Sequence, residues 1–116
     1  MAMLECYEPS LLAWRVLARL ADAFMTVDDD HAVAAMNRLA RPAGADPAIV
    51  AGESGGAGLA GAIRAATDPD IRAKLGLDGA SRVFAIITEG ATDPQRYAEL
   101  VGLEASEVVA RNGSAR

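Results

Sequence analysis

The chain has 116 residues and a formal net charge of −5, and its 11 basic residues are scattered singly rather than gathered into a patch. This charge pattern argues against nucleic acid as a partner, because binding to a phosphate backbone needs a clustered basic surface. No apolar run approaches the roughly 20 residues of a membrane-spanning helix, and no signal peptide opens the chain. We therefore expect a cytoplasmic protein without a membrane partner.

Two scarce residue types narrow the possible chemistry further. The single cysteine, Cys6, excludes an internal disulfide and is expected to be a small packed side chain. The single histidine, His31, gives no cluster of metal ligands. Alanine accounts for 26 of the apolar residues, so large side chains for a hydrophobic core are few.

Capping signals predict a series of helices. Pro9-Ser10 precedes a helix from Leu11 to about Ala21, which is apolar on most of its circumference and should therefore be buried. Asp28-Asp29-Asp30 favours a helix start over a metal site, because three consecutive carboxylates cannot all converge on one ion. The other predicted helices run from the start at Asp28-Asp29-Asp30 to about Ala40, from Ser54 to about Ala66, from Pro69 to about Lys74, from Pro94 onward, and between Leu103 and Ala110.

Three short apolar runs, residues 23–27, 48–51 and 82–88, predict β-strands. The last of them, RVFAIIT, is almost continuously apolar, as is typical of a strand buried on both faces of a parallel sheet. Helices and strands then alternate along the chain. This order predicts an α/β layer with a parallel sheet of about three strands and flanking helices. It would form one domain or partial domain over residues 1–110, followed by a disordered tail over 111–116.

The most unusual stretch runs from Ala48 to Ile63, where an apolar run stops at Gly52 and a glycine-rich helix follows. Ser54 is expected to cap this helix, with Glu53 beside its positive end. Gly55 and Gly58 help to form a helix face of low side-chain height that a neighbouring strand or a ligand can approach closely. A strand, a tight turn and a bare helix N-terminus together predict an anion-binding site.

Two short motifs in this stretch suggest other functions, and their context does not support either. Residues 56–61 match the glycine fingerprint of dinucleotide-binding proteins. The first glycine of that fingerprint should stand directly at the end of a strand, whereas the predicted strand here ends about five residues earlier. Residues 52–56 match the G-x-S-x-G turn of hydrolases. The required histidine follows the serine in those enzymes, whereas His31 precedes Ser54. We therefore interpret Ser54 as a helix cap and not as a nucleophile.

A longer resemblance covers nearly the whole chain. The stretch GESGGAGLA at residues 52–60 resembles the E-x-S-G-x-x-G-L-A segment of fold-type-II pyridoxal-phosphate enzymes, the threonine dehydratase and tryptophan synthase β group. Residues 82–97, which include T-E-G, T-D-P and Tyr97, are similar to the carboxy-terminal S-T-E-G-x-T-D-P-x-x-Y stretch of diaminopropionate ammonia-lyases within that group. Residues 3–14 and 24–30 resemble the passage of the same enzymes into their last third.

The resemblance implies that this chain is the carboxy-terminal portion of a pyridoxal-phosphate-dependent ammonia-lyase. The Schiff-base lysine and the main phosphate-binding glycine loop of the family would lie outside it, and Lys74 matches neither. The chain alone would then be non-catalytic and would hold no cofactor stably. A hydroxyl that faces the cofactor's pyridine nitrogen in the family corresponds here to Ile87, with Thr88 next to it. The implied cofactor-binding residues are Glu53, Ser54, Gly55, Gly56, Thr88 and Glu89.

Two kinds of partner are expected. The apolar helix from Leu11 predicts self-association, because a chain this short cannot cover it. The resemblance adds the missing amino-terminal part of the enzyme as a possible second partner. The alternative to a piece of an enzyme is a non-catalytic α/β oligomerisation or interaction module that has kept the fold and lost the chemistry.

Overall fold

A computed structural model describes residues 4–113 of the chain, and within this range the secondary structure consists of helices joined by irregular segments. None of these helices is both long enough and apolar enough to cross a lipid bilayer. The α-helices are α1 (Leu11–Leu20), α2 (Asp29–Ala40), α3 (Glu53–Thr67), α4 (Pro69–Lys74), α5 (Pro94–Val101) and α6 (Ala105–Gly113).

Local capping groups explain where several of these helices begin. The Ser10 hydroxyl accepts a hydrogen bond from the Ala13 N–H (3.3 Å), which starts α1. Asp68 and Asp93 accept backbone N–H groups in the same way at the starts of α4 and α5, and a proline follows each of them. Such side chains satisfy helix N–H groups that would otherwise have no partner. The predicted helix starts at these positions are confirmed.

The predicted α/β fold class is wrong: in the part of the chain that the structure describes, no residue belongs to a β-strand. The runs 23–27, 48–51 and 82–88 are irregular segments instead. Apolar and β-branched residues suit a strand, but a strand exists only when its backbone pairs with another strand. Within the described range, no backbone N–H of residues 82–88 donates to a backbone carbonyl. The segment therefore has strand-like composition without a sheet.

The core lies between α2 and the C-terminal helices. Helix α2 packs on α3 and α5, α3 packs on α4, and α5 packs on α6. Met36 and Val108 are the largest fully buried side chains, and Met36 is 1% exposed. Alanine fills much of the remaining space, which lets the helices approach closely. The buried core cluster consists of Met36, Ala40, Ala48, Tyr97, Val101 and Val108.

Polar side chains fasten these elements to one another. Asn37 on α2 donates to the Leu100 carbonyl (3.1 Å), and Arg41 donates to the Val101 carbonyl (2.8 Å), so both satisfy carbonyls at the end of α5. The Asn112 side chain on α6 makes two hydrogen bonds to the backbone of Ala48. It accepts from the N–H (2.7 Å) and donates to the carbonyl (2.8 Å). Helix α6 therefore extends beyond the residue where the tail was expected to begin, while residues 114–116 of that tail lie outside the described residues.

Helix α1 lies outside this packed region. It was predicted to be buried, yet none of its residues is buried. Leu12 is 74% exposed and Trp14 is 55% exposed. The Trp14 ring lies 6.5 Å from that of Phe24, which is itself 69% exposed. Cys6, which was expected to be packed, is exposed as well. The sequence requires cover for these residues, and the described part of the chain does not provide it.

Candidate functional site

The start of α3 differs by two residues from the predicted one. Gly52, not Ser54, is the N-cap: its backbone is extended (φ −78°, ψ −171°), and its carbonyl accepts the first helical hydrogen bond, from the Gly56 N–H (2.9 Å). Ser54 therefore lies within the first turn of the helix. Its hydroxyl donates to the Glu89 carboxylate instead of capping its own helix. The predicted serine cap is wrong because the chain already turns into the helix at the glycine.

The negative charge at the start of α3 comes from a side chain of this same protein, that of Glu89. The Ser54 N–H donates to Glu89 Oε2 (3.1 Å), and the Gly55 N–H also bonds the Glu89 carboxylate. A backbone hydrogen bond from the Gly52 N–H to the Glu89 carbonyl (3.0 Å) fixes the two segments together. Free N–H groups and the helix dipole attract negative charge to such a position. Glu89 supplies that charge.

Two glycines make this contact possible. A Cβ at Gly55 would overlap the backbone carbonyl of Glu89, and a Cβ at Gly52 would overlap the carbonyl of Gly90. The low helix face that the sequence predicts is thus used at Gly55, where an irregular segment and not a strand approaches. At Gly58 nothing lies within 4 Å of a Cβ. Glycine is therefore required sterically at the first two positions and not at the third.

These contacts change the protonation behaviour of Glu89. Partial burial acts to raise the pKa of its carboxyl, but hydrogen bonds from the side chains of Ser54 and Thr92 and from the N–H groups of Ser54 and Gly55 act against it. The net result is a pKa below the usual value of 4.5. Hydrogen bonds to the charged form stabilise it, so Glu89 is an anion at neutral pH.

A cavity of about 300 Å³ opens between the start of α3, residues 89–93 and helix α5. Glu53 lies in its wall, and its side chain is only 7% exposed. Glu53 Oε1 is 3.6 Å from Arg96 Nε, and Arg96 also contacts Glu99 (3.3 Å). Tyr97 lines the same cavity, and its buried hydroxyl has no hydrogen-bond partner in the described part of the chain. Burial raises the pKa of Tyr97, an effect partly opposed by the positive charge of Arg41.

The structure brings most of the predicted site residues together. Glu53 and Glu89 line the cavity, and Ser54, Gly55 and Gly56 form the first turn of α3 beside it. Thr88 directly precedes Glu89 but is exposed and does not line the cavity. Arg96 was not among the predicted residues, although it stands next to Tyr97, the last letter of the matched motif. The matched stretch around Arg96 was the sequence signal that could have pointed to this residue.

The phosphate of pyridoxal phosphate does not fit at this helix start. The N–H groups of Ser54 and Gly55 are bonded to Glu89, and that of Gly56 is bonded within the helix to Gly52. A phosphate placed there would also lie against the Glu89 carboxylate, and like charges repel. The predicted cofactor contacts of these residues stay a prediction, and no reaction step is derived through them.

Lys74 and His31, the other residues with potential chemistry, lie elsewhere. Lys74 is in the last turn of the six-residue helix α4, is exposed, and does not line the cavity. His31 lies in the first turn of α2, as the triple-aspartate helix start predicts. Its Nδ1 is 3.7 Å from an Asp28 oxygen. Neither side chain contributes to the site at α3.

Comparison with known proteins gives one consistent relationship. The chain is 38% identical over 104 residues to the diaminopropionate ammonia-lyase of Escherichia coli strain K12, and the alignment covers 87% of this chain and 26% of that enzyme. The diaminopropionate ammonia-lyase of Salmonella typhimurium strain LT2 is 32% identical over 105 residues, with the same two coverages. No protein-family profile and no solved structure matches the chain.

The chain thus spans about a quarter of the length of the curated relatives that it matches. It corresponds to a part of such an ammonia-lyase sequence. The resemblance to diaminopropionate ammonia-lyases that the motifs indicate is thereby confirmed. The assignment to fold type II is consistent with the match but is not tested by it.

Proposed function

We propose that this chain is the carboxy-terminal part of a pyridoxal-phosphate-dependent ammonia-lyase of fold type II and that it is not catalytic by itself. The observation that carries the proposal is the alignment, which takes in 87% of this chain but only 26% of the enzyme. The parent reaction would release ammonia from diaminopropionate or a closely related amino acid. The parent enzyme would be cytoplasmic, as the absence of a bilayer-spanning helix in the described range allows.

The lysine inventory supports the second half of the proposal. Schiff-base chemistry uses a lysine amine that is desolvated or placed beside another cation, so that it is nucleophilic near neutral pH. The sequence contains one lysine, Lys74, which is exposed at the end of α4. It lies outside the cavity at the start of α3. A productive lysine would therefore come from the part of the enzyme that this chain does not include.

The exposed apolar residues support a role for this chain as one part of a larger assembly. Val83, Phe84 and Ile86 are 64%, 88% and 66% exposed. Helix α1 adds Leu11, Leu12 and Leu20, which are exposed to a similar degree. Apolar patches of this kind mark contact surfaces in soluble proteins. The partners we propose are the rest of the ammonia-lyase and, for α1, a second copy of this chain.

The exposed surfaces also favour the second candidate function, an interaction module without chemistry. The two functions differ in what they need from the rest of the lyase. A piece of an enzyme completes a catalytic site when it is joined to the remaining sequence, whereas an interaction module binds a partner and never supports turnover.

Chemical trapping tests whether the chain carries a Schiff-base lysine of its own. The purified chain is incubated with pyridoxal phosphate, reduced with borohydride and mapped by mass spectrometry, and ammonia release from diaminopropionate is followed in parallel. We expect sparse, unsaturable adducts and no release of ammonia. A single saturable adduct at Lys74 together with turnover would overturn the proposal.

A further inference from the structure

The side chain of Asn112 fastens helix α6 to the segment that precedes α3. Its Oδ1 accepts from the Ala48 N–H (2.7 Å) and its Nδ2 donates to the Ala48 carbonyl (2.8 Å). Ala48 belongs to the buried core cluster, and Val108, one turn earlier on α6, is 0% exposed. We call this pair of hydrogen bonds the Asn112 clamp. It requires a side chain that donates and accepts at once, which an amide does and a carboxylate does not.

Gly113 follows Asn112 directly in the sequence. Glycine has no side chain to hinder its own backbone nitrogen and adopts most backbone conformations, so an asparagine before glycine deamidates readily. The Gly113 nitrogen bonds to the side-chain carbonyl carbon of Asn112, the bond from that carbon to the amide nitrogen breaks, and ammonia leaves with the proton of the Gly113 N–H. Water then opens the cyclic imide, which gives aspartate or isoaspartate. Water is the only co-reactant.

The fold slows this reaction without preventing it. Asn112 lies in the last turn of α6, where helical backbone angles keep the Gly113 nitrogen away from the side-chain carbonyl of Asn112. The clamp fixes the side chain as well. Helix ends fray, however, and a local opening frees both groups. Asn112 is exposed and lines a surface cavity with residues 40–48, so water reaches it.

The products cannot form the clamp again. A carboxylate at position 112 has no donor, so the Ala48 carbonyl loses its partner and faces a second acceptor. The new negative charge also lies at the negative end of α6. Arg41 lines the same cavity, but its guanidinium already donates to Asn37 and to the Val101 carbonyl. Isoaspartate additionally lengthens the backbone, which disrupts the helical turn.

We propose that Asn112–Gly113 is a deamidation site that acts as a one-way latch on α6. Each opening of the last turn exposes Asn112 to conversion, and a converted chain cannot fasten α6 to Ala48 again. The attachment of α6 therefore weakens as the protein ages, and the apolar face that carries Val108 becomes accessible. The site lies within this chain and is independent of the proposed lyase function.

Ageing of the purified full chain at neutral pH tests the chemistry. Samples are digested and mapped by mass spectrometry, and isoaspartate is measured by enzymatic methylation. We expect Asn112 to gain the mass of an amide-to-acid conversion, and to do so faster in urea, where the clamp is absent. Asn37, the only other asparagine, is the internal control, because it also bonds the backbone of another helix but is followed by Arg38. Peptide mapping separates this product from isoaspartate at Asp78–Gly79.

Three results would overturn the proposal at this stage. The first is an unchanged mass at Asn112 in both conditions. The second is equal conversion of Asn112 and Asn37, which would show no selectivity for the site. The third is an equal rate of conversion at Asn112 with and without urea, which would show that the clamp does not control the reaction.

Two variants separate the chemistry from its consequence. Asn112→Asp introduces the product and should lower the equilibrium constant for folding by at least about tenfold, because a partly buried acceptor loses its donor. Gly113→Ala keeps the clamp and should convert more slowly, with a folding constant within about twofold of the wild type. Wild-type stability in Asn112→Asp, or unchanged conversion in Gly113→Ala, would contradict the latch.

Hydrogen exchange on aged wild-type protein keeps the test decisive if Asn112→Asp does not fold. Converted chains carry an extra negative charge and are separated from unconverted ones by ion exchange. We expect the amides of α6 to exchange faster in the converted fraction, while those of α4, which does not contact the clamp, stay unchanged. Equal exchange of α6 in the two fractions would overturn the latch.

Discussion

Two regions of the described chain show how differently similar apolar content can be used. Helices α2, α5 and α6 bury Met36, Tyr97 and Val108 almost completely. Helix α1 has no buried residue, and Phe84 in the 82–88 segment is 88% exposed. We call these two regions the packed region (α2, α3, α5 and α6) and the open region (α1 and residues 82–88). Apolar content shows that a surface requires cover, and it does not show whether the same chain supplies it.

The largest expected effect separates the two regions by the cost of truncating one side chain. Met36→Ala should lower the free energy of unfolding by about 2–5 kcal/mol, because Met36 is 1% exposed at the centre of the core. Leu12→Ala on α1 should change it by less than about 0.5 kcal/mol, because Leu12 is 74% exposed. Chemical denaturation followed by circular dichroism measures both. Similar costs at the two positions would show that α1 is packed in solution.

Close approach at the start of α3 is tested by adding one methyl group. Gly55→Ala should destabilise the chain by about 1–3 kcal/mol, because the new Cβ would overlap the Glu89 backbone. Gly58→Ala in the same helix is the control, since nothing lies within 4 Å of its Cβ. That variant should be more stable by up to about 1 kcal/mol, because alanine is the better helix former. A stabilised Gly55→Ala protein would mean that residues 89–90 do not lie on α3.

The pH dependence of stability tests the same contact electrostatically. The pKa of Glu89 is lowered in the folded chain, so its contribution to stability is complete above its usual value of 4.5 and is lost as the pH falls through the lowered folded value. Glu89→Gln should remove this loss of stability at acid pH. Ser54→Ala, which removes one hydrogen-bond donor to Glu89, should reduce it. Urea unfolding between pH 3 and 7 measures the effect, on the order of 1 kcal/mol for one hydrogen bond. If the Glu89→Gln protein loses stability at acid pH as the wild type does, the contact between Glu89 and the start of α3 is contradicted.

The smallest expected effect on stability is in the open region. A substitution there should instead change the extent of self-association, which is measured as the molecular mass in solution. We expect the wild-type chain to self-associate in the micromolar range through α1. Leu12→Glu should shift the population towards monomer with little change in unfolding. Ala34→Glu, on an exposed face of α2, adds the same charge in the packed region and should not affect association. Sedimentation showing a monodisperse wild-type monomer would contradict this proposal.

The helices could be predicted because their signals are local. Ser10, Asp68 and Asp93 each cap a helix that begins at the next residue. Whether an apolar run forms a strand could not be predicted in the same way. The run RVFAIIT at 82–88 has strand composition, but a strand also needs a partner strand, which local sequence does not identify. In the described range, residues 82–88 have no such partner. Composition identified these residues as apolar and assigned them the wrong structure.

The candidate site shows the same division. The glycines at 52, 55 and 56 predicted a helix start that attracts an anion, and the structure has one. The anion itself could not be identified from that stretch, because Glu89 lies 35 residues from Ser54 along the chain. The cavity with Glu53 depends on the same long-range contact. Local sequence can predict that a site requires a charge, and only the tertiary contact shows which group supplies it.

The central claim is that this chain is one part of an ammonia-lyase and needs the rest of the enzyme. The most direct test is a chimera in which this chain replaces the matching 26% of the Escherichia coli diaminopropionate ammonia-lyase. Ammonia release from diaminopropionate is compared for the purified chimera, the purified chain and the parent enzyme. We predict turnover by the chimera and none by the chain alone. Turnover by the chain alone, or a folded and cofactor-loaded chimera that releases no ammonia, would contradict the account.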